Sequence, residues 1–185
     1  EQDVIDGFVK QAKNIDEHEF YLISENKDIN KNLINSYNNF KYLYCSKKNF
    51  FDKIIEILKR HFFKSPLLAK IKGPIERLAS KNKLDFMWFV SGDCYEAIDI
   101  PYIATVFDLQ HRAQPWFPEI SNNGEWSGRE LKFRYFLSRA SHIIVGTEVG
   151  RKEVELFYQI PKFRIHKLPH PTPSYILNDN NKSQS

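Results

Sequence analysis

The chain is 185 residues long, 42% hydrophobic and 15% aromatic, with a formal net charge of +4. That length and apolar content suit one domain with its own core and exclude a disordered or fibrous chain. No apolar run reaches the roughly 18 residues of a membrane-spanning helix, and the lysines are mixed with acids rather than gathered in a block, which reads as a solvated surface and against a nucleic-acid partner.

The opening EQDVIDGFVKQ carries acids and no apolar core, so it does not read as a signal peptide. No Met stands at position 1, and the expectation is a chain that starts inside a longer product. Residues 3–13 predict an amphipathic helix, with Val4, Ile5, Phe8, Val9 and Ala12 at helical spacing. EFYLIS follows as a short buried strand, the Asn-rich NKDINKNLINSYNN as a loop or weak helix, and FKYLYCS as a second strand. A helix comes next, with Phe51, Ile54, Ile55, Leu58 and Phe62 on one face, and Ser65-Pro66 interrupts it. Gly73-Pro74 interrupts or restarts the following helix, which runs toward Asn82.

LDFMWFVS predicts a strongly apolar strand, Gly92-Asp93 a turn, and PYIATVFD another strand. GEWSGRELKFRYFLSRAS reads as helix from about Trp126, with Phe133, Phe136, Leu137 and Ala140 facing a core. HIIVGT is a strand, EVGRKEVELFYQI a helix and FRIHKLP a last strand, before the polar NDNNKSQS. The expected division is one domain over residues 1–175 and a disordered polar tail over 176–185. Apolar strands alternating with helices predict an α/β fold: one parallel sheet of six strands with helices on both faces, Rossmann-like. Such a domain ordinarily opens on a strand and a glycine-rich turn; this chain opens on a helix, so that first strand is expected to be missing. Cys45 and Cys94 are far apart and lack metal-ligand spacing, which reads as two thiols in a reducing cytosol.

In open α/β sheets, ligands bind beyond the carboxyl ends of the strands. Three segments stand at such ends: residues 91–95, residues 108–112, and Gly146, Thr147 and Glu148. Asp108 reads either as a turn or helix cap or as a carboxylate that accepts hydrogen bonds from a hydroxylated or cationic ligand. His111 is either a structural histidine or a donor and proton shuttle. Arg112 offers a planar fork for carboxylate or phosphate, or neutralises Asp108. Trp116 and Phe117, between Pro115 and Pro118, form an aromatic wall for a sugar or plug the edge of the core. Residues 112–119 are expected to be a stiff exit loop. Thr147 and Glu148 also fit a helix N-cap and a first-turn acid. No Walker, GxGxxG, HExxH or CxxC pattern occurs, and His166 and His170 have no clustered partners in the sequence, so no metal site and no cofactor are expected.

TVFDLQHRAQPWFPEIS, then GEW..RE, then SRASHIIVGTEVGRKEVELFYQIPKFRIHKLPHP resemble the N-terminal half of family-4 retaining glycosyltransferases over residues 101–173. The resemblance implies the acceptor-side domain of a two-domain GT-B enzyme, in which a second domain holds a nucleotide-activated sugar and transfer occurs in the cleft between them without an obligatory metal. It implies Asp108 and His111 as catalytic residues and Arg112, Trp116, Glu119, Thr147 and Glu148 as acceptor-binding residues. It also implies a saccharide or glycan acceptor, and a nucleotide-sugar donor bound only through a C-terminal domain that these residues do not include. The expected location is cytoplasmic, including the inner face of the membrane through peripheral contact. Phe107 stands where the family often has His. The other reading is a non-catalytic Rossmann-like binding or scaffold protein.

Overall fold

The computed structural model describes residues 2–12, 14–15, 17–26, 38–47, 49–62, 71–92 and 98–169. The sequence readings on the Asn-rich stretch at 27–37, Ser65-Pro66, Asp93 to Tyr95 with Cys94, His170 and the polar tail fall outside them. The chain is α/β, with parallel-strand sheets flanked by helices, the arrangement of a Rossmann-like fold. It divides into two compact units, one built on Glu1–Lys47 and the other on Lys48–Pro169.

The first unit opens on α1 (Gln2–Ala12) and holds β1 (Phe20–Ser24) and β2 (Phe40–Tyr44). The strands pair in parallel, with Phe20 opposite Phe40 and Ser24 opposite Tyr44. Val9 and Ala12 of the helix are buried with Phe40, and Ile5, Phe20, Leu22 and Tyr42 pack against them. The rings of Phe20 and Phe40 stack at 4.9 Å, and Phe8 meets Phe20 edge-on at 5.4 Å. The Asn39 amide donates to the carbonyl of Ala12, which the end of α1 leaves open, and to that of Ile15 in the turn beyond it.

The second unit contains α2 (Phe50–His61), α3 (Pro74–Lys81), β3 (Met87–Phe89), β4 (Tyr102–Val106), α4 (Gln110–Ala113), α5 (Pro118–Ser121), α6 (Glu125–Arg139), β5 (His142–Val145), α7 (Glu148–Tyr158), a 3₁₀ turn (Lys162–Arg164) and β6 (Ile165–Lys167). Its sheet runs β3-β4-β5-β6, parallel throughout. All six expected strands are present, but among the described residues they form two sheets rather than one, because β1 and β2 pair with each other and β3 with β4. α2 begins on an Asn49–Asp52 capping box, with the two residues bonded reciprocally. Of the face read from its sequence, Phe51, Ile54, Leu58 and Phe62 are exposed in the folded chain.

The core of this unit lies on one face of the sheet. Tyr102, Ala104, Val106, Ile143, Val145 and Ile165 are buried there. α6 lays Phe136 on that face, where its ring stacks on Tyr102 at 4.9 Å and meets Phe89 edge-on at 5.2 Å. The Tyr102 hydroxyl donates to the Phe136 carbonyl at 2.7 Å. Gly150 of α7 faces β5: a Cβ there would lie at ordinary contact, 3.6 Å from that of Val145, and tightly, 3.3 Å, against the Thr147 hydroxyl. Arg164 donates to the carbonyls of Ser138, Ala140 and Ser141, closing the C-terminal end of α6.

Of the stretch from Arg112 to Glu119, expected as a stiff loop, residues 114–117 are the loop, while Arg112 and Ala113 end α4 and Pro118 and Glu119 begin α5. Pro118 takes the first helical position of α5, where its missing N–H costs nothing and its fixed φ suits the turn. No helix among the described residues is long and apolar enough to cross a membrane.

Candidate functional site

β4 delivers its carboxyl end to Phe107 and Asp108, and the chain turns at once into α4. Asp108 is exposed, and its Oδ1 accepts from the Gln110 N–H at 3.1 Å, so the carboxylate starts this short helix. The Phe107 ring lies against Gly92, where a Cβ would come within 2.6 Å of the ring; Gly92 thus leaves the space the ring fills.

His111 and Arg112 turn inward. His111 is 0% exposed and its ring stacks on Phe133 at 5.3 Å, nearly parallel at 12°. Its Nε2 lies 2.9 Å from the Tyr158 hydroxyl, which sits 3.1 Å from Oε2 of Glu130. The tyrosine has one proton and the carboxylate can only accept, so Tyr158 donates to Glu130 and accepts from His111. The proton of neutral His111 is therefore on Nε2. Its bare Nδ1 is buried with no hydrogen-bond partner.

Arg112 donates through Nε at 2.8 Å and through its terminal nitrogen to the two Glu130 oxygens, the fork geometry that planar guanidinium allows. Its charge also lies near the rings of Trp126, Phe157 and Tyr158, at 5.7–6.0 Å from their centroids. Arg134 adds a further bond to Glu130 at 2.9 Å. The partner of Arg112 is thus Glu130, where the sequence reading weighed Asp108.

Glu130, the second acid of the GEW..RE pattern, has no role assigned by the sequence alone. It is 5% exposed. A carboxylate three and seven positions before Phe133 and Leu137 lies on the apolar stripe of α6, and an acid on a core face is itself a signal of a buried pair. Burial alone would raise its carboxyl, but hydrogen bonds from Arg112 and Arg134, the Arg112 charge and the Tyr158 hydroxyl hold it at about 2. Burial lowers the His111 imidazole, with Glu130 opposing and the charges of Arg129 and Arg112 adding. Burial and Glu130 together push the Tyr158 hydroxyl up.

The other predicted residues stand at the surface. Trp116 is 68% exposed, so it does not pack under α6 near Phe133. Its ring meets Phe117 edge-on at 6.1 Å. Glu119 is exposed in the first turn of α5 and lines an open depression of about 350 Å³ with Pro118, Asn122, Asn123 and Glu125. Thr147 caps α7, its hydroxyl accepting from the Gly150 N–H at 3.0 Å, and Glu148 pairs with Arg151 one turn on. Helix chemistry thus accounts for the contacts of Thr147 and Glu148.

The structure therefore sorts the predicted residues into two groups. His111 and Arg112 join Glu130 and Tyr158 inside the unit. Asp108, Trp116, Glu119, Thr147 and Glu148 are exposed, and three of them follow the carboxyl ends of the adjacent strands β4 and β5. Compared with protein-family models and with curated protein sequences, the chain matches none.

Proposed function

We propose that this chain is the acceptor-side domain of a GT-B retaining glycosyltransferase of family 4, binding a saccharide or glycan while a second domain holds the nucleotide sugar. The observation that carries the reading is the placement of exposed Asp108 and of Thr147 and Glu148 just beyond the carboxyl ends of neighbouring parallel strands, where this architecture binds ligands. The segment after Asp108 adds an exposed Trp116, and beyond it a polar depression carries Glu119, Asn122, Asn123 and Glu125. A flat aromatic face suits the C–H surface of a sugar, and carboxylates and amides suit its hydroxyls.

Burial of His111 and the Arg112–Glu130 pairing change the division of labour within that proposal. Asp108, Trp116 and Glu119 are the acceptor-facing groups. His111 and Arg112 hold the turn that presents them. The same burial favours a second reading, a Rossmann-like binding protein without catalysis, because the one basic nitrogen of His111 is shut away from any substrate.

The test is transfer from a nucleotide sugar to a panel of saccharide acceptors, with a donor domain supplied. Asp108→Ala is expected to lower transfer more than Lys152→Ala, an exposed position on α7. Saccharide binding to the chain without transfer under any donor would support the second reading. No binding to any saccharide would end both.

A further inference from the structure

β5 and β6 are neighbouring parallel strands whose register sets Ile143 opposite Ile165 and Ile144 opposite His166. Side chains alternate between the faces of a strand, so buried Ile143, Val145 and Ile165 share the core face, while His142, Ile144 and His166 share the other. Both histidines are exposed. Nδ1 of His142 lies 2.9 Å from Nε2 of His166, with ring centroids 4.9 Å apart.

That separation has a chemical meaning. An imidazole nitrogen is a common metal ligand and binds at about 2.0–2.1 Å. Two such bonds at a right angle set the nitrogens about 2.9 Å apart, against about 3.3 Å for a tetrahedral pair. The right angle is the cis edge of the square-planar and tetragonal geometries that divalent copper and nickel adopt. The two rings start from strands already fixed by the sheet, so little ordering is left for an ion to impose. In the metal-free chain 2.9 Å is also the length of an ordinary hydrogen bond between the rings. Turning both exposed rings by about 45° brings their lone pairs onto one point, and an ion there replaces the shared proton.

We propose that His142 and His166 form a two-histidine chelate for a divalent transition-metal ion of the copper and nickel class. Among the described residues no group of three or more His, Cys, Asp or Glu side chains stands together, so the two imidazoles are the ligands these residues supply. Arg164, just before β6, turns its guanidinium to the carbonyls of Ser138, Ala140 and Ser141, and Lys167 alternates to the opposite face of the strand. The pair begins at the first residue of β5, whereas the proposed acceptor groups follow the carboxyl ends, so the two proposals stand independently.

The test is titration of the tag-free full chain with NiCl2 and CuCl2 by calorimetry, together with the electron paramagnetic resonance spectrum of the copper complex. One ion per chain is expected, with hyperfine structure from two nitrogens, and no heat from MgCl2, a hard cation that prefers oxygen. His142→Ala and His166→Ala should each weaken nickel binding about tenfold or more, since each removes one arm of the chelate. His142→Gln and His166→Gln should do the same, with the melting temperature of the metal-free protein unchanged. The proposal fails if the chain binds neither ion one-to-one, if the copper spectrum shows a single nitrogen, or if folded single variants bind nickel as tightly as the parent.

Discussion

The Arg112 guanidinium and the Glu130 carboxylate, 18 residues apart in sequence, meet fork to fork at the start of α6. This pair turns the segment after β4 inward at Arg112 and leaves Asp108 and Trp116 outside. Glu130→Ala removes the acceptor shared by Arg112, Arg134 and Tyr158, and it strands a partly buried cation. Loss of one partner of a buried ion pair costs about 3–5 kcal/mol, and urea unfolding followed by tryptophan fluorescence should show a loss of that order. Glu130→Gln, which keeps the shape and one acceptor oxygen, should cost less.

Acid should weaken the fold in two stages. The folded-state His111 value is depressed, so its contribution is complete above the ordinary value of 6.5 and is lost as pH falls below it. Glu130 is likewise depressed, from 4.5 to about 2, so its contribution is complete above pH 4.5 and is lost as pH falls toward 2. The second loss is on the order of 3 kcal/mol. Melting temperature measured from pH 8 to pH 3 should fall in both ranges. His111→Gln should flatten the upper stage, and Glu130→Gln the lower one.

Trp116→Ala should leave stability almost unchanged, because a side chain 68% exposed loses little burial. Surface changes of this kind are usually within about 0.5 kcal/mol. In the presence of a donor domain the same substitution should raise the acceptor KM. A strongly lowered melting temperature with an unchanged KM would remove Trp116 from the proposed site.

Tyr102→Phe should destabilise the second unit while leaving the proposed saccharide binding intact. The hydroxyl is buried and donates at 2.7 Å to the Phe136 carbonyl, a group inside α6. Its loss should cost about 0.5–1.5 kcal/mol, and somewhat more if the carbonyl is left without compensation. Chemical denaturation of the purified variant measures it.

The positions of the strands were legible in the sequence because each is a short β-rich apolar run between turn or helix signals. FYLIS, FKYLY, YIATV and HIIV needed no tertiary information to be read as strands. The helix from Glu125 to Arg139 was legible for a similar reason: Phe133, Phe136, Leu137 and Ala140 repeat at its period. Pro115 and Pro118 marked a break after α4 but did not reveal that Pro118 begins another helix, since proline at a first helical position and proline in a loop share the same local chemistry.

Which groups meet was decided only by the tertiary structure. His142 and His166 are 24 residues apart, and only the pairing of β5 with β6 brings their nitrogens together. His111 and Arg112 are three and four residues after Asp108, and proximity along the chain suggests one cluster; the turn into α4 instead sends them to Glu130 and Tyr158 and leaves Asp108 in solvent. Periodicity along a chain reports which face of an element is apolar, because that depends on the spacing of neighbours. The partner of a charge depends on which elements pack together, and the burial that sets its protonation depends on that packing too.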